Sequence, residues 1–308
     1  MFSISMMNRF VEQESPERPL SEGEAQELAS ILHRQLGRNL RKARRRLFHD
    51  LLSLSSGLRD VVMLDYVVAS REELRPLLGS LARLPRLADT RLLHMGGCLY
   101  LAKLAALLQR VPTSSTPPTA TQPLGVVVDE GEPRFVTAVE CLSFHDHLRQ
   151  FASGLAAAAA SAPEAQQPAP PLCIDLEGLL MEQPLPLPSL NGWLLGYPAV
   201  YLFHLTRGPR AARCLSSASL HLFQLRACCR YNVDTEQRSP NTGHQRTGND
   251  IALCSFSVPA SLSTQQFEEP WAQAFKSEIL RKLAKNEDRT WETLTFDCTL
   301  QAPQTIAL

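Results

Sequence analysis

Apolar residues recur along this chain with two different periods, and the two are largely segregated. Leu28, Ile31, Leu32, Leu36, Leu40, Leu47 and Leu51 keep the three-to-four spacing that lays one stripe along a helix. From residue 172 onward the apolar residues gather instead in short runs, LCIDLEG, YPAVYLFHL, SLHLFQLRACC and IALCSFSVP, with β-branched and aromatic side chains. Such a chain needs helices and a sheet together. The expected class is α+β: a mixed sheet with a β-α-β N-terminal half, an antiparallel C-terminal meander and packing helices.

Local signals place the elements. Ser21 and Glu24 form a capping box, in which each side chain reaches the other residue's backbone N–H. The helix or helix pair that follows ends near Ser55–Gly57, where glycine permits the left-handed turn. DVVMLDYVVAS predicts a strand from about Val61 to Val68. Ser70 and Glu73 repeat the capping box and open a helix that ends before Pro85. LLHMGGCLYLA reads as a second strand running into a helix that stops at Pro112, which implies parallel pairing and a right-handed crossover. LGVVVDE and RFVTAVECL read as strands around a turn at Gly131, and Ser143 and Asp146 as the cap of a helix to about Ala160. The later runs, joined by turn-rich segments, pair most simply as an antiparallel meander. WLLGYPAVYLF, Trp193 to Phe203, reads as a central core strand. A helix from Ser263 to Lys285 follows, with Phe267, Trp271, Phe275, Ile279 and Leu283 on one stripe, and TWETLTFDCTL closes the chain as a strand.

The domain expectation is a disordered arm at 1–20, one globular domain at 21–300 and a tail at 301–308. Proline-rich loops at 112–123 and 161–171 and a mobile loop at 232–249 interrupt that domain. With 308 residues, 44% hydrophobic and 20% charged, such a domain buries a sizeable core without disulfide staples.

Charge and cysteine usage narrow the function classes. The 31 basic and 31 acidic side chains balance to a net charge of +0, so nothing draws the whole molecule to nucleic acid or an anionic membrane. LNGWLLGYPAVYLFHL is too short to span a bilayer and carries Pro198, so it belongs to the core. MFSISMMNRFVEQES has no apolar run behind a basic end, so no secretory leader is expected. The 8 cysteines include no C-x-x-C, which removes zinc-knuckle and thioredoxin-like motifs. Reduced thiols in the cytoplasm or nucleus are expected.

Candidate chemistry is sparse. Arg38, Arg41, Lys42, Arg44, Arg45 and Arg46 form a basic run; on one continuous helix Arg38, Arg41, Lys42 and Arg45 would share a face. Such a face suits RNA phosphates or an import signal, and equally a solvated surface. Asp65, Asp175 and Glu177 lie near predicted strand ends. Alternation along a strand would put Asp175 and Glu177 on one face, roughly 7 Å apart, where two carboxylates can share a hard cation or divide acid and base roles. In CLSFHDH, His145 and His147 lie about 200° apart on a helix and cannot chelate one ion. In HMGGC, His94 and Cys98 would share a strand face, which permits a thiol–imidazole couple, and strand punctuation under a helix explains the motif equally well. G-x-S-x-G, G-x-G-x-x-G and G-x-x-x-x-G-K-[ST] do not occur.

LDYVVAS, CIDLEGLL, LNGWLLGYPAVYLF, CLSSASLHLFQLRA and LCSFSVPASL together resemble an animal family named after chromosome 1 open reading frame 74, which carries a domain of unknown function. The resemblance spans about residues 25 to 285 and is strongest from LLGYPAVYLF onward. It implies an intact intracellular domain and brings no activity, cofactor or catalytic residue with it. The expectation is therefore a non-catalytic intracellular protein that acts through protein–protein contacts, with no cofactor and a partner the sequence does not identify. The alternative is a metal-dependent hydrolase or phosphoryl-transfer enzyme using Asp65, Asp175 and Glu177. A weaker one is RNA association through the basic helix face.

Overall fold

The computed structural model describes residues 21–112, 123–129, 131–160, 172–182, 185–231, 250–285 and 290–305, with the side chains of all but Arg38 and Asn39. The expectations for the arm at 1–20, for 161–171 and 232–249, and for most of 112–123 lie outside these residues. The described part combines helices with mixed and antiparallel sheets and is an α+β fold.

The first capping box forms as read. Ser21 N–H donates to the Glu24 carboxylate at 2.7 Å, and Glu24 N–H donates to Ser21 Oγ at 3.2 Å, opening α1 (Glu22–Gln35). A 3-10 turn (Arg38–Ala43) leads into α2 (Arg44–Ser55), so the stripe belongs to a helix pair, closed by Gly57 at φ +67°. β1 (Val61–Met63) is shorter than the strand expected to Val68. The chain turns after Leu64 because Tyr66 folds back to donate its hydroxyl to Asp50, while Val67 and Ala69 pack on the helical core. Ser70 and Glu73 then cap α3 (Arg71–Leu81) as expected.

HMGGC corrects the next expectation. It is the tip of a hairpin between β2 (Thr90–Met95) and β3 (Cys98–Lys103), ahead of the short α4 (Leu104–Gln109). Gly96 and Gly97 both take positive φ, +58° and +69°, the pair of left-handed residues that a two-residue hairpin turn demands. β3 runs antiparallel to both β1 and β2, and β6 (Cys173–Asp175) adds parallel to β2, giving the order β1-β3-β2-β6. The strands joined through α3 thus run the same way without pairing, because the hairpin inserts β3 between them.

A second sheet has the order β5-β4-β7. The β4 (Leu124–Val127) and β5 (Arg134–Phe135) hairpin turns around Gly131 as read, and β7 (Ala199–Leu202) lies parallel to β4. From Ala138 onward RFVTAVECL is helical: α5 (Ala138–Ala160) starts five residues before the expected cap at Ser143. Its cap is T-A-V-E, with Glu140 N–H donating to Thr137 Oγ1 at 3.3 Å and Thr137 N–H to the Glu140 carboxylate at 2.7 Å. Thr137→Ala is expected to cost about 1 kcal/mol in urea unfolding; a loss near zero would show that water caps this end as well.

A short α6 (Glu177–Met181) follows β6. WLLGYPAVYLF starts inside α7 (Leu187–Leu194) and continues into β7, which is an edge strand and not a central one. A 3-10 turn (Leu205–Arg207) and α8 (Gly208–Ser217) replace the turn-rich connection expected after β7. The third sheet, β8 (Leu220–Cys229), β9 (Asp250–Pro259) and β10 (Trp291–Gln301), is antiparallel as expected but is not a meander of all the later runs. LCIDLEG and YPAVYLFHL joined the other sheets, and β10 returns to the far side of β8 after α9 (Pro270–Lys285). α9 begins past Ser263, so Phe267, at φ +56°, packs from the segment before it.

The first sheet buries both faces. Val62, Leu92 and Leu101 pack with α1, α2 and α3; Val61, Leu93, Tyr100 and Ala102 pack with α5 and α7. A third apolar cluster joins the second and third sheets through Phe223, Phe256 and Trp271, and Phe275 and Phe296 touch both it and the α1–α3 core. One polar knot ties these bodies. Asp60, with 11% of its side chain exposed, lies 3.4 Å from both Arg110 and Lys282. Arg110 also donates to the carbonyls of Trp193 and Leu194 in the last turn of α7, and Arg59 donates to those of Leu195 and Leu253. Two guanidinium groups thereby meet the negative end of α7, where orphan carbonyls need donors.

Candidate functional site

The parallel pairing of β2 with β6 sets His94 beside Asp175. His94 Nδ1 lies 3.6 Å from Asp175 Oδ1, and His94 Nε2 lies 3.6 Å from Glu177 Oε1. Arg71, in the first turn of α3, pairs with Asp175. The backbone completes the group: Glu177 N–H donates to Asp175 Oδ1 at 3.0 Å and Gly97 N–H to Glu177 Oε1 at 2.9 Å. This is the carboxyl end of two parallel strands, where ligands of open α/β sheets commonly bind. The backbone N–H of Glu177, followed by Arg71, holds the Asp175 carboxyl below the usual carboxylate range. Asp175 and Glu177 meet around His94 rather than by strand alternation, since the strand ends at Asp175 and Glu177 opens α6.

Asp65 is not brought to them. It follows β1, three strand positions from β6, which is about 14 Å at ordinary strand spacing. There it pairs with Arg46 at 2.9 Å, and the Arg46 guanidinium lies 4.1 Å from the centre of the Tyr66 ring. Among the described residues no group of three or more His, Cys, Asp or Glu side chains is placed to hold a metal ion.

The thiol–imidazole couple in HMGGC does not form. The hairpin pairs His94 with Leu99 and Met95 with Cys98, and directly paired residues share a face. His94 therefore lies on one face of the sheet and Cys98 on the other. A different couple exists on α5, where Cys141 Sγ lies 3.6 Å from His145 Nε2. Burial pushes that thiol up and that imidazole down, so both stay neutral and the thiolate a nucleophile needs is disfavoured.

The basic run does not make one helical stripe, because the 3-10 turn through Ala43 separates Arg38, Arg41 and Lys42 from α2. Arg44 Nη1 lies 2.7 Å from His33 Nδ1, Arg46 is held by Asp65 and Tyr66, and Arg41, Lys42 and Arg45 are exposed. A second basic element lies on α8. Arg207, Arg210 and Arg213 follow a three-residue spacing along α8, whose other face buries Ala211 and Leu215. Gly131, Arg210, Arg213, Cys214 and Ser217 line an open groove between α8 and the β4–β5 turn. Cys214 Sγ donates to Gly131 O at 3.1 Å and fixes the turn against the helix. Buried Asp129, just past β4, accepts the His204 N–H at 2.9 Å and lies 3.9 Å from Arg207. The signal was legible in RGPRAARCLSS: a proline at a helix start, then Ala211 and Leu215 four apart.

Among the described residues no helix is long and apolar enough to cross a membrane. No curated protein and no solved structure matches the chain. The family described as a domain of unknown function, DUF4504, matches residues 29–308. That match covers nearly the whole chain, and the protein belongs to the DUF4504 family.

Proposed function

We propose that this chain is a non-catalytic intracellular protein that works by contacting another protein, and that within its domain family it belongs with the chains named after chromosome 1 open reading frame 74. The observation that carries the functional reading is where the carboxylates spend their lone pairs. Asp65 is held by Arg46, Asp175 by Arg71 and a backbone N–H, and Glu177 by the Gly97 N–H. A hydrolase would aim such oxygens at a metal or a substrate; here Asp175 and Glu177 tie β6 and α6 to α3 and the β2–β3 turn, and Asp65 ties the segment after β1 to α2. The eight cysteines are all free thiols, which fits a reducing compartment.

The test is affinity purification of the full chain, followed by reconstitution of each enriched protein with the purified chain. The expected result is a partner that binds in a defined stoichiometry with a dissociation constant in the micromolar range or tighter. That binding should survive Asp175→Asn with Glu177→Gln. Failure of every candidate to reconstitute would overturn the reading, as would turnover of a substrate that collapses in the same double variant.

A further inference from the structure

We propose that the groove between α8 and the β4–β5 turn docks a multiply anionic segment of a partner protein, held by Arg210 and Arg213. The inference rests on the protein-contact reading and adds the chemistry of the partner. Among the described residues no ion pair or hydrogen bond engages either guanidinium, and both side chains are exposed. Arg207, in contrast, leans toward buried Asp129.

The electrostatics of α8 run against its own helix. Its first turn holds no acidic residue, its N-cap makes no side-chain hydrogen bond, and Arg207 and Arg210 crowd the positive end of the helix dipole. The helices α1 and α3 carry acidic first turns and capping boxes, as the rules of helix termini favour, whereas α2 opens on Arg44, Arg45 and Arg46 without a side-chain cap, as α8 opens on its arginines. Like charges three residues apart add further repulsion. An anion laid across Arg210 and Arg213 relieves both penalties, and guanidinium forks match carboxylate and phosphate oxygens two at a time.

The groove is shallow and open to solvent, and Glu132, exposed in the same turn, leaves the α8 side as its basic wall. A side chain added at Gly131 would meet nothing within 4 Å, and the opposite wall ends in the small Ser217. The lining contains no aromatic ring on which a base could stack, and two arginines neutralise few phosphates on a chain of net charge +0. These features favour an acidic protein segment over RNA.

Fluorescence anisotropy of a fluorescein-labelled hexaglutamate peptide, and of a phosphoserine-rich peptide of the same length, tests the site on the full chain. Saturable binding that weakens with salt is expected for at least one of the two, and which one binds separates carboxylate from phosphate as the source of charge. Arg210→Glu with Arg213→Glu should weaken it by about tenfold or more, and the milder Arg210→Gln with Arg213→Gln by less. A charge-matched control, Arg41→Glu with Lys42→Glu, should leave it within about twofold. Circular dichroism melting curves confirm that each variant is folded. The proposal is overturned if neither peptide binds, if the control weakens binding as much, or if a short single-stranded RNA binds the same groove more tightly. A reconstituted partner that ignores Arg210→Glu with Arg213→Glu would sink this site and leave the protein-contact reading standing. Absence of any partner would sink the reading itself.

Discussion

Asp60→Asn is expected to lower the unfolding free energy by about 3 kcal/mol, near the bottom of the range for removing one partner from a buried ion pair. The value sits low because Arg110 and Lys282 keep 26% and 23% of their side chains exposed. The substitution preserves shape and removes charge, so it isolates the electrostatic part. Two cations would be left beside an amide, and Arg110 would still have to cap α7 through the Trp193 and Leu194 carbonyls. Burial already draws the Arg110 pKa down, with Asp60 as the first influence opposing that pull. Lys282→Met in the Asp60→Asn background should therefore cost less than Lys282→Met alone, a coupling that a double-mutant cycle in urea reads directly. A loss below about 1 kcal/mol for Asp60→Asn would mean that water screens the knot as it screens a surface pair.

The second large effect is a loss of stability on mild acidification. His49 lies on α2 with 5% of its surface exposed, and burial, aided by Arg45, pushes its pKa down from 6.5 to about 4. The unfolded chain therefore binds a proton at His49 that the folded chain refuses. The stabilisation is complete above pH 6.5 and is lost as the pH falls toward 4. A drop of that size corresponds to about 3 kcal/mol across the window. His145 is also lowered by burial and acts with the same sign, while the buried Asp50 carboxyl, pushed up by burial, acts with the opposite sign and offsets part of the gain. Urea unfolding at stepped pH should show stability rising from pH 4 to 6.5 and levelling off above. His49→Phe should remove most of that rise and leave the small difference between the opposing contributions of His145 and Asp50. An unchanged slope in the variant would assign the acid sensitivity elsewhere.

What the sequence made legible follows from the range of the forces involved. The capping boxes at Ser21 and Ser70 are read correctly because donor and acceptor lie three residues apart. The three long C-terminal strands are equally plain, since each carries its own alternation. Two further signals are equally local: the paired glycines of HMGGC, which make a hairpin, and T-A-V-E, which caps α5. The sheet assignments are a different matter. β4 pairs with β7, and β2 with β6, across many residues, and no local pattern states which buried strand meets which.

The candidate cluster shows the same division. The spacing of Asp175 and Glu177 marks them as a pair and they do share a site, but what gathers them is His94 on another strand and a Gly97 N–H 80 positions from Glu177 in sequence. Asp65 looked equivalent on paper and sits at the opposite side of the sheet, because the hairpin placed two strands between them. The arginines of α8 are harder to place because the helix opens on a Gly-Pro pair, which marks a turn as readily as a helix start.

The central claim is that the strand-end carboxylates hold the fold and that the chain works through its surface. The most direct measurement compares wild type with the Asp175→Asn, Glu177→Gln double variant, both in urea unfolding and in binding to the reconstituted partner. The expected result is a stability loss of about 1–2 kcal/mol, as half-exposed pairs and charged hydrogen bonds contribute, with partner affinity changed less than about twofold. A variant as stable as wild type that has lost binding or a measurable turnover would contradict the claim and return those side chains to the centre of the mechanism.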